Sequence, residues 1–297
     1  MRNFLFIVLC LSCSAFSFGQ KIDKKLQENI QKAIQGFNGD IGIYVKNLRT
    51  GKTVSINADT IFPTASIVKV PILIGIMNKI QRGELAYDSN LVYKDSMLYE
   101  GVDILGSFKN DEKILLKKVM MLMLTASDNT ASLWLQSLAG KGTRINEILD
   151  SLGLAYTKIN SRTPGRENNR TQFGWGQTTP KEMGIIFEKI YRNEIFSAAA
   201  CDRMMRSLGR NYWDVNEAIS QIPPYIEVFS KNGCVNASRS EVLLVNAPHN
   251  PYIFCIFSKN NKDTRWTHEN EAWTMARKIS LILWRYFEPK DKWEPPG

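Results

Sequence analysis

Strand-type alternation occurs only toward the two ends of this chain, with a long helical stretch between them, and that order admits few folds. Ile41, Ile43 and Val45 alternate with other residues, residues 47–52 supply a turn, and Val54 and Ile56 resume the alternation, which predicts a hairpin. Over residues 64–210 the apolar spacing is helical. Leu115, Val119, Leu122 and Met123 share one face, and Leu133, Trp134 and Leu138 share another before Gly140. Thr179, Pro180 and Glu182 read as a helix start: an N-cap, a first-turn proline and the acceptor that closes a capping box. Strand patterns return at 226–229, 242–245 and 253–257. Helical spacing flanks both sets. Ile22, Leu26, Ile30, Ala33 and Phe37 precede the hairpin, and Trp273, Ala276, Ser280, Leu283, Trp284 and Phe287 follow the last strand, with Pro289 as the stop. Strands from both ends bury their apolar faces by meeting in one sheet. The predicted class is therefore α+β: a five-stranded antiparallel sheet drawn from residues 21–63 and 212–290, flanked by the terminal helices, with residues 64–211 inserted as a helical part. No internal repeat or low-complexity linker interrupts the 297 residues, a length that suits one large domain or two small ones.

Residues 1–20 read as a segment to be removed. Arg2 precedes an apolar run over 4–11, and small residues follow. The run is far shorter than the roughly 20 residues of a membrane span, so it predicts a cleaved secretory signal, a secreted periplasmic protein and no stable membrane insertion. Cys13 raises a lipoprotein alternative, although Cys10 stands where a lipobox carries Leu. Loss of Arg2 takes the formal net charge from +9 to +8. That charge is dispersed, with no basic run of the kind that binds nucleic acid, and it suits contact with anionic envelope surfaces. Cys201, Cys234 and Cys255 remain, an odd number that no disulfide framework uses completely. His249 and His268 are the only histidines, and His268-Glu269 lacks a second His four residues after the first, so neither a metal nor another cofactor is expected.

The candidate chemistry lies in three short motifs. In Ser66-Ile67-Val68-Lys69, positions i and i+3 share a helix face, so the lysine amine reaches the serine hydroxyl if a helix starts near Thr64. An alcohol is a weak nucleophile until a nearby base takes its proton, and a lysine serves when burial and neighbouring cations lower its pKa. Such a pair arises about once by chance in a chain of this size, so alone it is a weak signal. Pro71 is unexpected there, because a proline inside a helix costs about 3 kcal/mol. Ser127-Asp128-Asn129 falls between two helical patterns, where it reads either as helix punctuation or as a turn that pushes side chains into a cleft. Lys231-Asn232-Gly233 follows a strand pattern, and Gly233 permits close approach of a ligand to the backbone.

Together the three motifs carry a resemblance. Ser66 precedes Ser127 by 61 residues, Ser127 precedes Lys231 by 104, and Phe62-Pro63-Thr64-Ala65 and Thr178-Thr179-Pro180 frame them. In this order and spacing the chain resembles the penicillin-recognising serine hydrolases, and most closely the class A β-lactamases. The resemblance implies a β-lactamase/transpeptidase-like fold, a β-lactam or peptidoglycan-peptide substrate and a monomer. It implies Ser66 as acylated nucleophile and Lys69 as proton acceptor or relay. Ser127 would donate a proton to the leaving nitrogen, Lys231 would polarise that hydroxyl, and Asn129 would hold the substrate amide. The amides of Ser66 and Cys234 would form the oxyanion hole beside Gly233. Arg239 is a candidate for a substrate carboxylate, although the family position aligns at Ser240, and Tyr99 is a candidate cleft wall.

Two departures from the pattern bear on turnover. Asn232 replaces the usual Thr or Ser. Where class A enzymes place the glutamate that activates the deacylating water, this chain has Thr163, and Glu167, the only carboxylate between Asp150 and Glu182, comes four residues later. The expectation is acylation at Ser66 with slow deacylation. The competing readings are a β-lactamase, a D,D-peptidase or related amide or ester hydrolase of the cell wall, and a penicillin-binding sensor without turnover. No Gly-x-Ser-x-Gly elbow supports a Ser-His-Asp hydrolase.

Overall fold

Helix α1 (Lys24–Ala33) is capped by the Asp23 carboxylate and leads into strand β1 (Asp40–Asn47), which turns back as β2 (Thr53–Ile56). This computed structural model describes residues 21–295 apart from 102 and 210, so the signal segment expected at 1–20 lies outside the described residues. Near the other end, β3 (Val228–Val235), β4 (Ser238–Val245) and β5 (Tyr252–Lys259) precede helix α9 (Glu271–Phe287). The sheet order is β2-β1-β5-β4-β3, antiparallel throughout, so β1 and β5 join the two ends of the chain at its centre.

Period-two alternation assigns the two faces of the sheet. Ile41, Ile43, Val45, Leu243, Val245, Phe254 and Ile256 pack on the terminal helices, against Leu26, Ile30, Ile279, Leu283 and Trp284. Tyr44, Val242, Leu244, Ile253, Cys255 and Phe257 pack on the opposite face, in a core shared with the central helices. Those helices are α2 (Lys69–Gln81), α3 (Leu116–Thr125), α4 (Asn129–Leu138), α5 (Lys141–Ser151), α6 (Glu167–Phe173), α7 (Pro180–Tyr191) and α8 (Ala198–Leu208). Among the described residues no helix is long and apolar enough to cross a membrane.

The structure revises three local readings. The middle region also carries short strands: Phe62–Pro63 and Lys158–Ile159 pair on either side of Gly176–Thr178, and Asn90–Val92 pairs with Lys113–Leu115. Lys231-Asn232-Gly233 lies within β3 and not after a strand, because its residues stay in register with Val242, Glu241 and Ser240 of β4. At the start of α7, Thr179 accepts from the Glu182 amide at 3.1 Å as expected, yet the Glu182 carboxylate does not close a capping box. It accepts instead from the Thr157 amide and hydroxyl, both at 2.6 Å, and from the Tyr156 amide, tying down the chain ahead of the 160–175 loop.

Candidate active site

Ser66 sits where extended chain turns abruptly into helix. The Thr64 amide donates to the Gly176 carbonyl at 3.0 Å, and Ala65 then adopts left-handed backbone at φ +42°. That conformation costs a non-glycine residue on the order of 1–2 kcal/mol and persists where surrounding structure holds it, commonly at functional sites. A 3₁₀ turn, Ala65–Val68, follows, and the α-helix begins only at Lys69. The helix expected from Thr64 is therefore two pieces. Pro71 falls in the first turn of α2, where an N–H has no intrahelical partner, so the mid-helix penalty does not arise.

Lys69 is fully buried, and its amine is the hub of the site. Nζ lies 3.0 Å from Ser66 Oγ, 3.0 Å from Ser127 Oγ, 2.6 Å from the Ser127 carbonyl and 3.0 Å from Asn129 Oδ1. Burial first, and the Lys231 charge second, push this amine well below the ordinary lysine range, against a smaller opposing pull from Asp128. Ser127 occupies the tight α3–α4 turn with φ +59°. Its neighbour Asp128 is wholly buried and structural. One oxygen caps α4 through the Ala131 amide at 2.7 Å, and the other accepts from the Ile104 and Leu105 amides at 2.6 and 2.8 Å.

Strand β3 brings the third motif against this turn, and Gly233 permits the approach. A methyl group at Gly233 would lie 2.4 Å from the Thr64 carbonyl oxygen and 2.9 Å from the Ser66 amide nitrogen. Lys231 is also fully buried, and burial draws its amine down to about 8. It donates to the Asn232 carbonyl and to Asn232 Oδ1, both at 3.0 Å. Among the described residues it makes no hydrogen bond to Ser127, the contact that the resemblance implied. The cleft has two lobes that meet at Ser66 and Cys234. The larger, about 520 Å³, is bordered by Asn129, Tyr99, Trp175 and Lys259. The smaller, about 310 Å³, is bordered by Ser127, Asn232, Trp213, Trp266 and Glu217. Tyr99 is thus a cleft wall: it is 42% exposed and meets Trp175 edge-on at 5.2 Å.

Glu217 has no counterpart in the sequence-based reading, because no motif surrounds it. It is 3% exposed, accepts from Asn232 Nδ2 at 3.0 Å and faces the Cys234 thiol at 3.6 Å. Burial raises it to about 7, against opposing pulls from Asn232, Cys234, Lys231 and Arg239. A carboxyl raised on folding lends stability that is complete below the ordinary carboxylate range and is lost as pH climbs through 7. The shift corresponds to about 3 kcal/mol at most. Glu217→Gln keeps an acceptor for Asn232 and is expected to be more stable than the parent at pH 8 by about 1–3 kcal/mol. Urea denaturation should show that gap shrinking toward pH 5, and a gap independent of pH would reject the assignment.

Two sequence candidates stand away from the reacting centre. The Arg239 guanidinium is enclosed: it donates to the carbonyls of Val235, Asn236, Ser238 and Arg265, and it stacks over Trp266 and Trp273 at 4.3 and 4.8 Å. Those contacts hold it within the β3–β4 turn, and it borders neither lobe at Ser66. Glu167 opens α6, is exposed and accepts from the Gly165 amide at 3.1 Å. It borders a separate cavity with Gln136, Arg162, Thr163 and Arg170, and does not border either lobe at Ser66. The neighbouring Arg166 guanidinium donates to Asn160 Oδ1 at 2.7 Å and Gln177 Oε1 at 2.8 Å.

Known proteins are similar to this chain across nearly its whole length. β-Lactamase VEB-1 of Pseudomonas aeruginosa is 21% identical over 298 residues, covering 97% of this chain and 98% of that protein. The fold matches PBP-A at a TM-score of 0.80 and 22% identity, covering 91% of this chain and 98% of that one. It matches the β-lactamase of Sphaerobacter thermophilus at 0.78 and 20% identity, covering 89% and 98%. The profile of the β-lactamase enzyme family matches residues 25–287. With that match and the Ser66–Lys69 geometry beneath it, the chain belongs to the β-lactamase enzyme family, as a class A β-lactamase-like serine hydrolase.

Proposed function

We propose that this protein is an exported serine hydrolase that β-lactams acylate at Ser66 and that releases the opened product slowly. One observation carries the reading: the buried, charge-disfavoured amine of Lys69 lies 3.0 Å from both the Ser66 and the Ser127 hydroxyls. Lys69 Nζ takes the Ser66 proton as Oγ attacks the lactam carbonyl carbon. The oxyanion is held by the amides of Ser66 and Cys234, donors worth about 3–4 kcal/mol each in such sites. As the carbon–nitrogen bond breaks, Ser127 gives its proton to the leaving nitrogen, and the Lys69 ammonium restores it. Asn129 holds the amide side chain of the substrate, and Lys231 keeps the far end of the cleft positive.

The test is covalent labelling. A fluorescent penicillin is expected to mark the wild-type protein and to leave Ser66→Ala unmarked. Labelling that survives the substitution would reject Ser66 as nucleophile. A second reading, a cell-wall D,D-peptidase using the same acyl-enzyme, is favoured by the absence of Glu167 from both lobes at Ser66. The fold shared with PBP-A, a variant of which forms an acyl-enzyme complex with penicillin G, suits acylation under either reading. Sustained nitrocefin hydrolysis selects the first reading, and release of D-alanine from a peptide without nitrocefin turnover selects the second. Export is the other half of the proposal. N-terminal sequencing from the native host should begin near Lys21, and an intact Met1 or a lipidated Cys13 would contradict it.

A further inference from the structure

The smaller lobe of the cleft carries a buried carboxyl, Glu217, at the end where a free carboxylate on the substrate would need donors. Asn232 stands between two titratable neighbours, with Oδ1 facing the Lys231 amine and Nδ2 facing the Glu217 carboxyl, each at 3.0 Å. Only this orientation of the amide satisfies both neighbours, so its polar ends are already engaged within the protein. The cation expected at this end, Arg239, is enclosed by the backbone carbonyls of its own turn. Glu217 presents a buried carboxyl instead, and the exposed rings of Trp213 and Trp266 form the remaining wall. A buried carboxyl beside aromatic faces suits a cation or an N–H donor and, once ionised, repels an anion.

From this geometry we infer that the lobe bordered by Asn232, Glu217, Trp213 and Trp266 selects substrates ending in a nitrogen-borne donor, a carboxamide or an amine, over those ending in a free carboxylate. The inference deepens the proposed function and rests on it for the identity of the acylating group. Glu217 acts here as a specificity residue at the leaving side of the substrate, and Ser66, Lys69 and Ser127 keep their roles. Lys231 still supplies positive charge, so a free acid is a poor ligand and not an excluded one.

The test compares three forms of one penicillin, the free acid, its primary carboxamide and its 2-aminoethyl amide, by the second-order rate of adduct formation at Ser66 read by intact mass. In the wild type both nitrogen forms are expected to react at least about tenfold faster than the acid, and Glu217→Gln is expected to bring the acid to parity or ahead. A wild-type preference for the acid, or a ratio unchanged in Glu217→Gln, would overturn the inference. If none of the three forms an adduct, the acylation reading itself fails, and a binding measurement still tests the lobe. Calorimetry of Ser66→Ala with N-acetyl-D-alanyl-D-alanine and with its carboxamide should then favour the carboxamide. Tighter binding of the acid, equal binding, or binding of neither would overturn the inference without reference to any chemistry.

Discussion

Gly233→Ala is expected to lower the rate of Ser66 acylation by at least about a hundredfold while leaving the protein folded. The added methyl meets the Thr64 carbonyl oxygen at 2.4 Å and the Ser66 amide nitrogen at 2.9 Å, and both are backbone atoms that no rotamer change removes. Relief requires β3 to move away from the 62–66 turn. That turn is already fixed by the Thr64–Gly176 hydrogen bond and by the left-handed backbone of Ala65, so it has little freedom to retreat. A shift of β3 carries the Cys234 amide away from Ser66, and losing one oxyanion donor commonly costs about 10²–10³ in rate. The fold should survive, because the rest of β3 stays paired with β4 and its buried Phe229 packs beneath. The measurement is the second-order rate constant with a fluorescent lactam, beside the melting temperature and far-UV circular dichroism. Acylation within about tenfold of wild type would show that the turn yields without consequence, and the close approach would then have no part in the chemistry.

The same turn shows what the sequence makes legible and what it leaves hidden. Period-two and period-three-to-four patterns identified the sheet and its covering helices, since burial of one face is a direct physical consequence of spacing. Ser66, Lys69, Ser127 and Lys231 are also legible as candidates, because their residue types and their order along the chain are distinctive. The details that aim them were not visible. Nothing in Thr64-Ala65 announces a left-handed residue, since alanine prefers ordinary helix and tertiary contacts impose the strain. Pro71 looks anomalous in the sequence only because the spacing places the helix start five residues before the α-helix begins at Lys69. Glu217 is silent in the sequence because its contact with Asn232 joins residues 15 apart that no local pattern links. Arg239 shows the opposite case: a cation one residue from the family position in the sequence, whose charge neighbouring carbonyls and tryptophans hold within its own turn.

A β-lactam should give a rapid burst of one equivalent per Ser66 and then slow turnover. Hydrolysis of an acyl-enzyme ester needs a water held within about 3 Å of both a base and the carbonyl carbon. Among the 160–175 loop residues only Glu167 carries a carboxylate, and it lines the cavity on the Gln136 and Arg170 side, apart from the lobes at Ser66. The carboxyl that does border the cleft, Glu217, is engaged with Asn232 and Cys234 at the leaving-group end. General-base assistance is commonly worth about 10²–10⁴-fold, so its absence should leave an adduct stable enough to observe by intact mass after excess lactam is removed. Glu167→Gln is expected to change the slow phase by less than about tenfold, since an exposed carboxylate hydrogen-bonded to the Gly165 amide has little bearing on the ester. Fast turnover without a burst, abolished by Glu167→Gln, would mean that the loop closes onto Ser66 during the reaction. Fast turnover abolished by Glu217→Gln instead would move the base to the opposite lobe. Either result would exclude slow deacylation.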